Sequence, residues 1–544
     1  MDYDLRTRYG RGNSSGYRGY GGSRGSPQGG SQGGSRGGHW GRSQEQNGYG
    51  LFNRYQKAPA VAASPRPAFG PLIRSIMVSD IDVKDENMPA VITDCELVGS
   101  YNWLDSKSPL ILIPGGPPRW TPLAQALPLQ GDSGTYFRDI NSARLPLHPM
   151  EPVAHAVCKG ISSQKGADLD IDIVACGYTF GNLLRFIRRD ELEPGGCKPF
   201  RLVAQLIGSD DESKEDGKSK ATLFLVRREN APDECIPGIS GFGHTFPEAY
   251  TTWDAATRKS KSHQRLIKYR FGGLNILLRS EADGYFHQTT QKASSGAVRP
   301  AAEKTGIDDI DNLFASFGMG SQAASSPVDT AETEDSLQVQ HGGSSQPQSA
   351  IFDIKTRSIW KKEQHDEMLD QEMPRLWCRQ MPTFILAFHR KGVFAKEDIE
   401  IIDVRQDITK WEQDHQESLQ KLAELLQMIL AQVKVLPRGK KLEICHTEGD
   451  GADECLEFRE PGPGAMDALS EKGRRLWMGQ DDDGDDVDGS AHVDEDEDED
   501  DESDSRSYNG RFNDDSGWSD ADLEELDYTA CSSSDCGYCG KCPY

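Results

Sequence analysis

Two short segments carry acids and a base at spacings that could do chemistry. "RSEADGY" places Arg279, Glu281 and Asp283 at i, i+2 and i+4, and "AIFDIKTRS" places Asp353 and Lys355 two positions apart. On an extended strand, residues two apart share a face. Two such strands side by side would gather Glu281, Asp283 and Asp353, with Lys355 next to them. Close carboxylates repel one another and raise their own pKa values unless a cation intervenes. Oxygen ligands of this kind suit magnesium or manganese. A lysine beside such an ion can orient a water or stabilise charge developing on a phosphate. The same residues on an edge strand would be ordinary surface charges. The order Glu-x-Asp, Asp-x-Lys, helix, apolar strand is what argues for a site.

A second group lies at the end of the chain. Cys531, Cys536, Cys539 and Cys542 in "YTACSSSDCGYCGKCPY" are close enough to wrap one tetrahedral zinc, which would also supply folding energy to a short tail. An iron–sulfur cluster or a metal-free, redox-prone tail are the alternatives. The other eight cysteines are scattered singly from Cys95 to Cys455, a pattern of reduced thiols in an intracellular protein.

Elements able to position the acids surround them. "PAVITDCELVGSYNW", "SPLILIPGGPP", "DLDIDIVACGYTF", "FRLVAQLIGS" and "ATLFLVRRE" are short β-rich runs, and "GNLLRFIRRDEL" reads as a short helix. "SDDESKEDGKSK" reads as a hairpin loop. "HQRLIKYRFGGLNILLRSEADGYF" is β-rich and carries the first acids. After "AIFDIKTRS" come a helix in "EQHDEMLDQEMPRLWCRQM" and strands in "TFILAFHRKGVF" and "IEIIDVR". One long amphipathic helix spans 406–436. Its apolar stripe of Ile408, Trp411, His415, Leu419, Leu422, Leu426, Ile429 and Val433 should pack on the sheet, with a coiled-coil partner as the alternative.

Composition sets the boundaries. The chain has 544 residues and a formal net charge of -26, with the negative charge concentrated in 480–504. Like charges repel, so that run is expected to be disordered. Asp482, Asp483 and Asp486 within it form an Asp-Asp-x-x-Asp pattern, which such a run produces by chance. The expected divisions are an Arg-Gly-rich arm over 1–70 and a β-rich first part over 71–286. A Ser/Gln/Ala-rich disordered insertion follows over 287–348, then a second folded part over 349–440. An acidic linker over 441–525 and a Cys-rich tail over 526–544 complete the chain. In the arm, arginines alternate with Tyr9, Tyr17, Tyr20 and Trp40, which suits phosphate attraction and base stacking, so RNA is the expected partner; a solubilising tail is the bland alternative. The acidic and Cys-rich tail, with "SGWSDADLEELDY" as a short interaction helix, or the 406–436 helix, would serve a protein partner. No apolar run reaches the ~18–20 residues of a membrane span. The first residues lack an apolar signal core, which leaves nucleus or cytoplasm.

The order of the acids resembles the PD-(D/E)XK nuclease superfamily, and more closely the eukaryotic decapping exonucleases that remove incomplete messenger-RNA caps and hydrolyse 5′-triphosphate ends. The matching residues are Glu281 and Asp283 in "SEADGY", Asp353, Lys355 and Thr356 in "FDIKT", and Gln380 in "LWCRQM". In that order of elements "HQRLIKYRFGG" takes a helix-like place. The resemblance covers roughly 71–435 without the insertion. It implies an α+β fold, with a mixed central sheet flanked by helices. It also implies magnesium or manganese held by Glu281, Asp283 and Asp353, with Lys355 and Gln380 positioning water or phosphate. Arg279 would touch RNA phosphate or form a structural ion pair. The activity implied is metal-dependent hydrolysis of RNA phosphodiester or 5′-end pyrophosphate bonds; the alternative is a catalytically inactive RNA-associated adaptor. Two positions depart from the family pattern. Gly272 follows Tyr269-Arg270-Phe271 where the family has a Glu, and Asp353 replaces a Glu in the acid-x-Lys pair.

Overall fold

β-Branched and aromatic runs form the strands and 3–4-spaced apolar residues form the helices. In this computed structural model the described residues are 64–480, except 85–88, 161–168, 190–196, 209–220, 238, 288–335, 438 and 448–454. The strands are β1 (Leu72–Ile76), β2 (Thr93–Leu104), β3 (Leu110–Gly115), β4 (Arg119–Trp120), β5 (Ile173–Cys176), β6 (Phe200–Ile207), β7 (Thr222–Arg228), β8 (Thr251–Thr252), β9 (Ser260–Phe271), β10 (Leu274–Glu281), β11 (Gly284–Tyr285), β12 (Gln338–Gly343), β13 (Ile351–Ser358), β14 (Thr383–His389), β15 (Ile399–Asp403), β16 (Lys441–His446) and β17 (Leu456–Arg459). The helices are α1 (Ile140–Arg144), α2 (Glu151–Cys158), α3 (Gly177–Ile187), α4 (Thr245–Tyr250), α5 (His365–Cys378), α6 (Arg405–Asp414), α7 (Gln416–Lys434) and α8 (Glu471–Met478).

Among the described residues the strands build two mixed sheets. An 11-stranded sheet runs β1-β17-β16-β6-β7-β5-β10-β9-β2-β3-β12, and a 6-stranded sheet runs β15-β14-β13-β11-β4-β8. The α+β class expected from the sequence is the class observed. Side chains alternate across the large sheet, so each face buries its own core. Ile276 and Leu278 of β10 join Phe180, Leu183, Trp377, Leu422 and Leu426 on the side of α3, α5 and α7. Leu277 joins Val153, Val157 and Trp477 on the side of α2 and α8. No described helix is long and apolar enough to cross a membrane.

Several expectations are corrected. "HQRLIKYRFGG" is strand β9, and it pairs antiparallel with β10 from Phe271↔Leu274 to Gln264↔Glu281. The single helix over 406–436 is two helices. His415 breaks it, with its ring stacked on Trp411 at 4.5 Å and its Nδ1 2.8 Å from the Trp411 carbonyl. The apolar stripe is buried against the helix side of the large sheet, so it offers no free face for a coiled-coil partner. The stretch over 441–525 does not begin as a linker. β16 pairs with β6, β17 pairs with both β16 and β1, and α8 follows. Short strands within a charged stretch carry little signal until the neighbouring strand is known. The end of the expected insertion is likewise ordered: β12 lies parallel to β3 over Gln338–Gly343. Residues 1–63 of the expected arm, the acidic run and its Asp482, Asp483 and Asp486, the "SGWSDADLEELDY" segment and the four C-terminal cysteines lie outside the described residues.

Candidate functional site

β13 carries the acid and the lysine. It is bound in parallel register to β14, with Asp353 opposite Phe384 and Lys355 opposite Leu386. The strand alternates. Phe352 and Ile354 join an apolar cluster with Phe246, Tyr250 and Phe394. Asp353, Lys355 and Arg357 share the other face, and all three are buried. Burying three charges in a row is costly unless each is paired. α5 supplies the pairs. Glu372, Arg375 and Arg379 recur at i, i+3 and i+7, so one helical face meets the charged face of β13.

The pairing is specific. Arg375 Nη1 donates to Asp353 Oδ1 at 3.0 Å, and Arg379 Nη1 donates to Asp353 Oδ2 at 3.0 Å. Lys355 Nζ lies 3.3 Å from Glu372 Oε1, Arg375 Nε lies 2.9 Å from Glu372 Oε2, and Arg357 Nη2 lies 3.8 Å from Glu372 Oε1. Burial alone would raise the Glu372 pKa, but Lys355, Arg375 and Arg357 together pull it down to about 2. Arg379 also lies against the start of α3, where a Cβ added to Gly177 would come within 3.3 Å of its Nε.

Asp283 approaches from the other side. It stands between β10 and β11, and β11 pairs antiparallel with β13, Gly284 opposite Phe352. The Ile354 N–H donates to Asp283 Oδ2 at 2.7 Å. Burial raises the Asp283 pKa well above the usual carboxylate range. The neighbouring Asp353 carboxyl, with which it shares a hydrogen bond, and Glu281 add to the rise, against the pull of the Ile354 N–H. Asp283 therefore keeps its proton to a higher pH than an isolated Asp does. β10 and β13 lie in different sheets, so the junction of β10 with β11, rather than direct strand pairing, brings Asp283 to Asp353.

Of the remaining expected residues, Glu281 stays close enough to Asp283 to add to its pKa rise, whereas Arg279 and Gln380 are engaged elsewhere. Glu281 ends β10 opposite Gln264, half-buried. Arg279 points to the face of the large sheet that α2 covers. There its Nη2 lies 3.6 Å from Asp139 Oδ1, and its Nη1 donates to the Pro149 carbonyl at 3.4 Å. Burial works against the Arg279 charge and Asp139 restores it, so Arg279 is a structural ion pair. Gln380 adopts φ +49 just after α5 and donates from Nε2 to the Trp377 carbonyl at 2.8 Å, which engages its amide with its own helix. Gly272 cannot stand for a lost site acid. It forms the β9–β10 turn at φ +56, a conformation that favours glycine, and an added Cβ would meet the Ala423 Cβ at 2.3 Å. That turn is at the far end of β10 from Glu281. The chain holds a second Tyr-x-Phe-Gly, Tyr178-Thr179-Phe180-Gly181, on α3 beside Arg379.

A metal fits this donor set poorly. Both Asp353 oxygens already accept from guanidinium groups, and a divalent ion would have to displace two arginines from a buried carboxylate. Among the described residues no three His, Cys, Asp or Glu side chains are arranged to hold a metal ion. The arginines and Glu372 were missed in the sequence. Their signal was charge at i, i+3 and i+7 on a helix that directly follows an Asp-x-Lys-x-Arg strand.

Comparison with known proteins gives a family. Residues 73–450 match a family described as a domain of unknown function (DUF8563). No curated protein matches the chain. Among solved structures it is similar to S. pombe Rai1 in complex with 3′-FADP, at 11% identity and a TM-score of 0.37, over 71% of this chain and 99% of that one. It is similar to Candida albicans Rai1 in complex with pU5-Mn2+, at 11% identity and a TM-score of 0.43, over 75% and 99%. It is similar to K. lactis Dxo1 in complex with manganese, at 8% identity and a TM-score of 0.33, over 75% and 99%. The chain belongs to the DUF8563 family.

Proposed function

We propose that this member of the DUF8563 family is an RNA-associated protein whose nuclease-like acid–lysine centre is closed by arginine and does not hydrolyse RNA. One observation carries the reading: Asp353, the acid of the Asp-x-Lys pair, has one oxygen held by Arg375 of α5 and the other by Arg379 at its C-terminal cap. Lys355 is likewise held by Glu372, which takes it away from any water or phosphate. A hydrolytic centre needs an acid open to a metal and a lysine open to the reacting group. Association with RNA is supported by the Arg, Tyr and Trp of the arm, residues that attract phosphate and stack on bases.

A second reading, a magnesium- or manganese-dependent RNA hydrolase, is favoured by the contact of Asp283 with Asp353. Two carboxyls that share a proton are what a metal site leaves when the ion is away. Incubation of the full chain with 5′-triphosphate and capped RNA, with either metal, separates the two. The first reading expects RNA binding unchanged by chelation and no release of phosphate, cap or nucleotide. Metal-dependent turnover that Asp283→Ala and Asp353→Ala abolish would overturn it.

A further inference from the structure

Strand β13 ends at Ser358, and the chain then turns through a 3-10 segment, Ile359–Gln364. Trp360 opens outward there. Of the described tryptophans it alone is exposed, at 54%; Trp103, Trp377, Trp411 and Trp477 are buried. An exposed indole is an unfavourable residue to leave in water unless a partner covers it. The neighbouring parallel strand β14 ends at His389, opposite Ser358, so the turn that follows it lies beside Trp360. Arg390 in that turn places its guanidinium carbon 5.4 Å from the Trp360 ring centroid. Lys391 follows at φ +50, exposed like Arg390.

Charge separates this patch from the rest of an acidic chain. Among the described residues neither Arg390 nor Lys391 enters an ion pair. Two acids of the following segment are already engaged: Asp398 and Glu400 pair with Lys362, and Glu400 also with His365. Two other arginine–aromatic pairs differ in setting: Arg227 lies 3.6 Å over Tyr178 and Arg201 lies 4.4 Å over Phe69, and both arginines are buried with carboxylate partners. An open aromatic face with a stacked guanidinium and a free ammonium beside it matches a single strand, whose bases stack and whose phosphates carry the charge.

We propose that Trp360, Arg390 and Lys391 form a stacking platform for single-stranded RNA at the end of the strand that carries Asp353 and Lys355. The proposal rests on the RNA-associated reading and names where the strand lies. Trp360 is five residues beyond Lys355, no more than about 18 Å of extended chain, a span of a few nucleotides. Stacking of this kind tolerates sequence, so the platform should bind by backbone and base plane rather than by base identity.

The test is fluorescence anisotropy with the full chain and a 5′-fluorescein oligouridylate over a salt series. Trp360→Ala should weaken binding about tenfold, the scale of one lost base stack, whereas Trp360→Phe keeps most of the affinity. Arg390→Glu should weaken binding further and flatten the salt dependence. Melting temperatures should match wild type, since neither side chain is buried. Affinity within twofold of wild type in Trp360→Ala and Arg390→Glu, with the arm alone accounting for binding, removes the platform and leaves the RNA reading intact. Absence of any RNA binding by the wild-type chain removes both.

Discussion

Two buried carboxylates in this molecule are each gripped by two arginines, and they differ in what surrounds them. Glu443 on β16 accepts from Arg201 Nε at 2.7 Å and Arg228 Nη1 at 2.8 Å, while its other oxygen accepts the Gly462 N–H at 2.9 Å. The same arginines reach on to main-chain carbonyls, Arg201 to Pro67 at 2.7 Å and Arg228 to Pro463. Every contact there fastens one stretch of backbone to another. Asp353 has the same two-arginine grip, but beyond it stand Asp283 with its raised pKa, the paired Lys355 and Glu372, and a half-buried Glu281. The first cluster is a clamp between chain segments. The second is a set of side chains balanced against one another, with titratable groups beyond what holding the chain requires. Buried ionic groups that exceed structural need mark places where function is, or was, located.

Three substitutions sharpen the contrast. The largest loss should follow Glu443→Gln, which leaves Arg201 and Arg228 buried without a counter-charge. Urea unfolding should show about 3–5 kcal/mol less stability. Asp353→Asn should cost less, about 2–3 kcal/mol, because Arg375 keeps Glu372 and the amide keeps a carbonyl acceptor. Equal losses at the two positions would mean that both clusters are simple clamps. The smallest effect is on pH dependence. The Asp283 pKa is raised in the fold from its ordinary 3.8, so the folded chain holds a proton that the unfolded chain releases. Its contribution is present below pH 3.8 and is lost as pH rises through the folded value. Glu372 runs the other way: its pKa falls from 4.5 to about 2, so its stabilisation is complete above 4.5 and is lost as pH drops toward 2. In a series of melting temperatures against pH, Asp283→Asn should remove the decline at rising pH and cost nothing near neutrality. A marked destabilisation of that variant at pH 7 would mean that Asp283 is ionised and held by a cation.

Much of the site's frame was legible. Alternation in "AIFDIKTRS" marks β13, the 3–4 spacing in "HDEMLDQEMPRLWC" marks α5, and the apolar run "TFILAF" marks β14. Asp353, Lys355 and Asp283 do come together. The arginine grip was not legible, because strand and helix periodicity fix which way Arg375 and Arg379 point only once α5 is known to lie on the charged face of β13. Arg279 shows the limit of the i, i+2 rule. It shares a face with Glu281, yet that face of β10 looks toward α2, whereas Asp283 lies beyond the strand end and answers to β11. β16 and β17 escaped for a related reason. Leu442, Ile444 and Phe458 are core residues only because β6 and β1 stand next to them.

The pairing of β6 with β16 has a consequence for how this protein is made. Arg201 and Glu443 are 242 positions apart, so during synthesis β6 must wait, with one edge unpaired and Arg201 and Arg228 uncompensated, until β16 leaves the ribosome. Strand edges held open in this way are where chains associate wrongly. A chain cut before Lys441 would never close that edge, and one cut at residue 450 would close it but lack β17, the partner of β1. Any truncated version meant to test the Asp353–Lys355 centre therefore has to retain residues through α8, although the centre itself ends with Arg379.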